Sequence, residues 1–242
     1  MKPTSFPPKK RDGKTPARYV SAFRKYFYII ITLEFSLYVI ISSISIHSPS
    51  LYSEFAAQQK SIVSQPVYLM FLSIFPHNLY IATIEFIPVI GLVFLLLSTG
   101  VTAAVISVEG VHYGYSGFYI FASLMLFPHS WLELPSYAVA ASSGTYLMYV
   151  LIKRGTGLVE GLKRVFYLYI FVVIELAAAG AFETTEIYME NTYASPYDVE
   201  YSLLLWILAI PVILLLIKLL RRINTVKPAG KIETEPAGDT TP

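Results

Sequence analysis

The sequence predicts an all-α membrane protein, a polytopic transmembrane helical bundle with proline-broken helices and about six crossings. Of its 242 residues, 55% are hydrophobic and only 14% are charged. Several apolar runs reach the roughly 20 residues that a helix needs to cross a bilayer. The aromatic content of 15% is typical of chains that place Tyr and Trp at both membrane interfaces. The expected partner is therefore a lipid bilayer and not a nucleic acid.

Charged residues are segregated along the chain, and this predicts the orientation. Basic residues crowd 1–25 and return in 153–164 and 218–222, whereas 182–201 holds five acids and no basic residue. The positive-inside rule places the basic zones in the cytoplasm, so both termini are expected inside and the number of crossings is even. A basic tail beside a membrane would also attract anionic lipid head groups.

We expect three regions, with a multi-pass transmembrane domain between two disordered cytoplasmic tails. Their bounds are 1–25 for the basic tail, 26–222 for the helical domain and 223–242 for the second tail. The six crossings are expected near 26–46, 79–108, 117–128, 130–152, 165–181 and 202–220.

The stretches between the crossings are less regular. Residues 47–65 are polar and aromatic and are predicted to form an outer loop. The apolar run 66–76 is too short to span and is predicted as an interfacial or re-entrant helix. Two alternatives stay open, because Pro88 could divide 79–108 into two pieces and 117–152 could fuse into one helix.

A histidine and a carboxylate lie in the middle of a long apolar region, in the stretch Phe127-Pro128-His129-Ser130-Trp131-Leu132-Glu133-Leu134-Pro135. Four positions separate His129 from Glu133, so both side chains share one face of a helix, one turn apart. Asn78 and Glu85 also share one helical face, because they are seven positions, or two turns, apart. A similar Phe-Pro-His triplet, which includes His77, precedes Asn78 and suggests a weak internal repeat. Glu183 follows the apolar run that ends near 181.

Four glutamates lie within apolar segments, at Glu34, Glu85, Glu133 and Glu175, with no lysine or arginine at comparable depth. A charged carboxylate in hydrocarbon is costly and normally has a partner or a function. Three interpretations remain open. Neutral glutamates could pin helices together by hydrogen bonds, or they could form a cation or proton site in a transporter. The third is a metal-dependent intramembrane hydrolase, in which a divalent metal would be held by His129 and Glu133 with help from His77 and a second glutamate.

The stretch Leu126–Pro135, followed by the small-residue run Ala138–Gly144, resembles the Pro-His-Gly-x-x-Glu-Leu-Pro-Ala core of the stage II sporulation protein M family. Asn78 is similar to an Asn that opens an earlier helix in that family, and Ala177–Glu183 resembles its late Ala-rich helix ending in Glu. Ser130 stands where the family usually has Gly, and Thr99-Gly100 stands where Asn-Gly is common.

The resemblance implies a polytopic membrane protein with a shared polar core. The resemblance places His129, Glu133, Asn78 and Glu183 in that core, and the residue pattern itself adds Glu85 and His77 to the expected polar core. From it we expect a non-enzymatic component of an envelope or membrane-remodelling assembly, with membrane-protein partners or a homo-oligomer. The alternative is a transporter or a metal-dependent intramembrane enzyme that uses a polar site centred on His129 and Glu133. A dry, closed core would favour the first, and a water-reachable cavity would favour the second.

Overall fold

The computed structural model describes residues 15–153, 158–195 and 197–225, and in this part of the chain all regular structure is helical. The helices are α1 (Thr15–Ser43), α2 (Pro49–Val63), α3 (Val67–Glu85), α4 (Ile90–Tyr113), α5 (Gly117–Leu124), α6 (Ser130–Lys153), α7 (Leu158–Thr192), α8 (Tyr197–Leu204) and α9 (Trp206–Ile223). Most of the predicted N-terminal tail lies outside the described residues, although α1 already begins at Thr15. The predicted C-terminal tail is described only as far as Thr225.

The structure confirms the predicted class, an all-α polytopic membrane bundle. Within the part of the chain that the structure describes, five stretches are long and apolar enough to cross a bilayer, namely Ala22–Ser43, Val67–Glu85, Ile90–Tyr113, Leu158–Thr192 and Val199–Ile223. A sixth helix, α6, has 24 residues and therefore a length of about 36 Å. About six crossings are thus consistent with the structure.

The helix α6 is the centre of the bundle. It packs against α1, α3, α4 and α7, and every residue from Ser136 to Gly144 is buried. A helix surrounded by other helices does not face lipid, so it can be rich in Ser, Ala and Gly. This explains why α6 is less apolar than the five spans around it.

The predicted boundaries between 66 and 108 are wrong in two places. Residues 66–76 do not form a separate short helix, because α3 continues through Pro76 to Glu85. A transmembrane helix tolerates such a proline, since its neighbours can satisfy the carbonyl that the proline frees. The stretch 79–108 is divided around Pro88, between α3 and α4, as one of the two open alternatives predicted. Because Pro76 lies inside a helix and Pro128 lies at a break, the suggested repeat has no structural counterpart.

The predicted crossing at 117–128 is also corrected. The helix α5 has only eight residues, about 12 Å, which is too short to span alone. It begins at Gly117 beside Ser42 and Ser107 and reaches one turn deeper, where the Phe121 ring stacks on Tyr38 at 5.2 Å. A non-helical break over 125–129 separates it from α6, so the two helices together form one broken crossing.

The expected outer loop at 47–65 is mostly the helix α2. Its hydroxyl cap is Ser48, whose side chain accepts a hydrogen bond from the Leu51 N–H, and Pro49 occupies the first helical turn. These are ordinary signals for a helix start. No residue of α2 is buried, so the helix lies on the outside of the bundle.

The two ends of the bundle differ in charge. At one end, Phe23 packs edge-on against Tyr146, and the Arg164 guanidinium lies 5.9 Å above the same ring. We call this the basic end. It also carries Arg24, Lys25, Lys163, Lys218, Arg221 and Arg222. At the opposite end, the Ser107 hydroxyl accepts from the Ile46 N–H at 3.1 Å and ties α4 to the end of α1. We call this the acidic end, because the last turns of α7 carry glutamates there.

The turn between α3 and α4 is strained. Val89 has φ +69° and ψ −57°, and the Ile90 N–H donates to the Pro88 carbonyl at 2.8 Å. This is a γ-turn of the rare kind, in a residue whose branched Cβ disfavours positive φ.

Helix packing around the turn is also close. A Cβ on Gly144 of α6 would lie only 2.8 Å from the Glu85 carbonyl oxygen and 2.9 Å from that of Phe86. Only a glycine lets α6 approach the turn this closely.

Candidate functional site

A cavity of about 880 Å³ opens at the acidic end, between α2, α4, the break between α5 and α6, and the last turns of α7. Its wall is partly apolar, with Phe55, Ile62, Phe121 and Phe127, and partly acidic. The ionisable residues that line it are Lys60, His77, Glu109, His129, Glu133, Glu183, Glu186 and Glu190. Five glutamates against one lysine make this a place that favours positive charge.

The break between α5 and α6 is held by hydrogen bonds to the carbonyls that the end of α5 leaves free. The Ser130 hydroxyl donates to the Leu124 carbonyl at 2.8 Å. The indole N–H of Trp131 donates to the Met125 carbonyl at 2.8 Å. Ser130, which stands where the related pattern has Gly, therefore caps α5.

A third carbonyl at the break is satisfied from a distant helix. The indole N–H of Trp206, the first residue of α9, donates to the Leu126 carbonyl at 2.7 Å. The break is thus tied to a second break, which lies at Leu205 between α8 and α9.

His129 stands immediately before α6 and pairs with the far end of α7. Its Nδ1 contacts Glu186 Oε2, and its Nε2 lies 3.1 Å from the Ser130 hydroxyl. Because that hydroxyl gives its proton to Leu124, its lone pairs are left to accept from the ring. Both ring nitrogens then act as donors, which is the arrangement of an imidazolium.

Three carboxylates of the wall, Glu133, Glu183 and Glu186, differ in their hydrogen bonds. Glu133 lies one turn along α6 from His129, whose carbonyl accepts from the Glu133 N–H at 2.9 Å, as the spacing predicts. Glu133 Oε1 accepts a hydrogen bond from the Tyr137 hydroxyl at 2.8 Å. Glu186 Oε1 and Glu183 Oε2 are buried and have no hydrogen-bond partner within the described chain. Glu186 as a whole is only 3% exposed, so water does not take the place of that partner.

The six residues predicted as a polar core are only partly brought together. His77, His129, Glu133 and Glu183 line the cavity. Asn78 and Glu85 are buried on the inner face of α3, on the stripe Met70, Ile74, Asn78, Ala82 and Glu85, and do not line it. The core therefore comprises a cavity group and a deeper group.

Sequence reasoning missed Glu186 as the partner of His129. The apolar run that ends near 181 predicts an outer loop for the acids that follow it, whereas α7 continues to Thr192. The spacing of Glu183 and Glu186, three residues apart, could have shown that both lie on one face of an extended helix. Lys60 was missed because its segment was not expected to be helical.

Among the described residues, no group of three or more His, Asp or Glu side chains has the arrangement of a metal site. The nitrogens of His129 face Glu186 and Ser130, so a metal would have to displace one of these contacts. The divalent metal at His129 and Glu133 stays a hypothesis.

Comparison with known proteins gives one family. No curated protein and no solved structure matches the chain. The family model described as stage II sporulation protein M matches residues 26–185, a region that runs from α1 to the cavity-lining turns of α7 and includes His129, Glu133 and Glu183. The chain therefore belongs to the stage II sporulation protein M family.

Proposed function

We propose that this integral membrane protein binds an organic cation in the cavity at the acidic end and acts as a transporter for it. The observation that carries the proposal is the buried Glu186, which has an unpartnered oxygen and lines a cavity walled by four further glutamates. His129 supplies one positive partner for Glu186, but the five glutamates of the wall still outnumber Lys60 and His129, so the cavity favours a further positive charge. The apolar and aromatic part of the wall suits a ligand that carries carbon as well as charge.

Transport is favoured over hydrolysis because further glutamates are buried in the bundle beyond the cavity. Glu34, Glu85 and Glu175 are buried further along the bundle. An enzyme needs reactive groups at one centre, whereas a carrier needs polar positions along its path. Broken helices beside a binding site are a common feature of carriers, and the α5–α6 break borders this cavity.

Tryptophan fluorescence offers a direct binding test. Both tryptophans of the chain, Trp131 and Trp206, donate to carbonyls at the break, so their emission reports on the cavity's edge. Detergent-purified protein would be titrated with cyclohexylammonium and, as an uncharged match, with cyclohexanol. We expect a saturable change with the amine only.

Variants decide whether the carboxylates are responsible. Loss of one hydrogen bond to a charged group costs about 1.5–3 kcal/mol, so Glu186→Gln and Glu183→Gln should each weaken binding about tenfold or more. Glu183→Gln is included because it leaves the His129–Glu186 pair intact. Glu54→Gln changes an exposed glutamate of α2 and should leave the affinity unchanged. Equal responses to amine and alcohol, or unchanged affinity in both cavity variants, would refute the proposal.

Two earlier hypotheses remain beside this one. The family name refers to a sporulation stage, which supports a role in an envelope or membrane-remodelling assembly, and co-purification of partners from native membranes would test it. A bound divalent metal would be detected by elemental mass spectrometry of the purified protein, with loss in the His129→Ala/Glu133→Gln variant.

We also propose that both termini are cytoplasmic. The grouping of basic side chains at one end of the bundle supports this orientation by the positive-inside rule. Single cysteines introduced into this cysteine-free chain at exposed Lys25 and Glu54 would test it, because an impermeant thiol reagent added to intact cells should label only the second.

A further inference from the structure

A pair of glutamates deeper in the bundle is not used by the cavity. Glu34 lies on the buried stripe of α1, and Glu85 is the last residue of α3. Both side chains are fully buried, and within the described chain none of their four carboxyl oxygens has a hydrogen-bond partner. A carboxylate in this situation is far too costly to remain charged without compensation.

The two glutamates are neighbours of each other and of the cavity wall. Glu34 lies within electrostatic range of both Glu85 and Glu133, and Glu133 lines the cavity. The three carboxyl groups therefore form a series that leads from the cavity toward the α3–α4 turn. Two carboxyl groups that share a site do not both ionise.

The surroundings supply hydroxyl groups and no fixed positive charge. The hydroxyl of Ser98, which is close to Glu85, donates to the Leu95 carbonyl at 3.1 Å, and that of Thr102 donates to the Ser98 carbonyl at 3.0 Å. The buried polar residues of the described chain include no lysine, arginine or histidine. The titratable groups that interact with the pair are Tyr38 on α1 and Glu133 and Tyr137 on α6, and Tyr169 and Glu175 lie on the neighbouring α7.

We propose that Glu34 and Glu85 form a proton-binding site that exchanges its proton with the cavity through Glu133. The bound ligand is a proton, held by one carboxyl group of a pair that has no other positive partner. Each transfer moves one proton from a neutral carboxyl to a neighbouring carboxylate, so charge is conserved along the series. The site deepens the proposed function and rests on it for its role, because a proton exchanged with the cavity is what an entering cation would be traded against.

Infrared spectroscopy tests the first part without any added cation. A neutral carboxyl group gives a carbonyl-stretch band that a carboxylate lacks. We expect this band in the purified protein at neutral pH, reduced in Glu34→Gln and in Glu85→Gln and unchanged in the surface control Glu54→Gln. Glu34→Asp and Glu85→Asp, which keep the acid, should shift the band without removing it and serve if a glutamine variant does not fold.

Deuterium exchange tests the path. On transfer to heavy water the band shifts as deuterium replaces the proton, and Glu133→Gln should slow this shift about tenfold or more, since the relay loses the carboxyl that links the pair to the cavity. An absent band, or a band that none of the Glu34 and Glu85 variants alters, would overturn the proton site. An exchange rate unchanged by Glu133→Gln would overturn the path. Neither readout depends on cyclohexylammonium, so a failure here and a failure of cation binding are distinct results.

Discussion

Replacing Gly144 with alanine is the sharpest test of how the bundle is packed around the buried glutamates. The added Cβ would lie 2.8 Å from the Glu85 carbonyl oxygen and 2.9 Å from that of Phe86. Both are backbone atoms of a turn that is itself fixed by hydrogen bonds, such as the one from the Phe86 N–H to the Ala82 carbonyl. Neither can rotate away as a side chain could.

The expected cost follows from two opposing terms. Overpacking a tight site costs about 1–3 kcal/mol, and contact with two fixed carbonyls places Gly144→Ala near the top of that range. Alanine in a helix interior regains about 1 kcal/mol over glycine. The net loss is therefore about 2 kcal/mol, which corresponds to a fall in Tm of about 4–8 °C for a chain of this size.

The matched control is Gly100→Ala in α4. There the nearest atom to an added Cβ is the Ile41 Cδ1 at 3.8 Å, an ordinary contact, so only the gain in helix propensity remains. Thermal unfolding in one detergent should give a lower Tm for Gly144→Ala and an equal or slightly higher Tm for Gly100→Ala. Equal melting temperatures for the two variants would refute the close approach of α6 to the turn.

Three further substitutions test contacts of the core and of the helix breaks, each by thermal unfolding against the unmodified protein. Ser130→Ala removes the hydroxyl that caps the Leu124 carbonyl and should cost about 1 kcal/mol; an unchanged Tm would show that this carbonyl has another donor. Trp206→Phe keeps a ring but withdraws the donor from the Leu126 carbonyl, for a similar loss, and a stable variant would mean that the two breaks are not linked. Phe23→Ala empties a buried site beside α6 and should cost about 3–5 kcal/mol, whereas a loss below about 1 kcal/mol would contradict its place in the core.

The class of the fold could be predicted from hydropathy because lipid-facing helices must be apolar along their whole length. The same rule misplaced some boundaries. A proline ends a helix in water, but Pro76 does not end α3, since surrounding helices take over the role of solvent. Hydropathy also gives no sign that α5 stops at Leu124, because the residues of the break that follows are themselves mostly apolar.

The site was predictable where spacing along one helix was sufficient. His129 and Glu133 are neighbours by sequence spacing alone, and the structure places them one turn apart. The partner of His129 is Glu186, at the far end of α7, and only the way that α7 packs against α6 brings the two together. The division between a cavity group and a deeper pair likewise depends on which face each helix turns inward, which no single stretch of sequence reveals.

The γ-turn at Val89 has a mechanical consequence. A branched residue held at positive φ stores about 1–3 kcal/mol, and this strain lies only four residues from Glu85. The packing of α6 against the turn at Gly144 holds Val89 in this strained conformation. We expect that a movement of α6 away from the turn would let Val89 relax and would allow the last turn of α3, which carries Glu85, to shift. The close contact at Gly144 therefore both packs α6 into the bundle and keeps the strained turn in place.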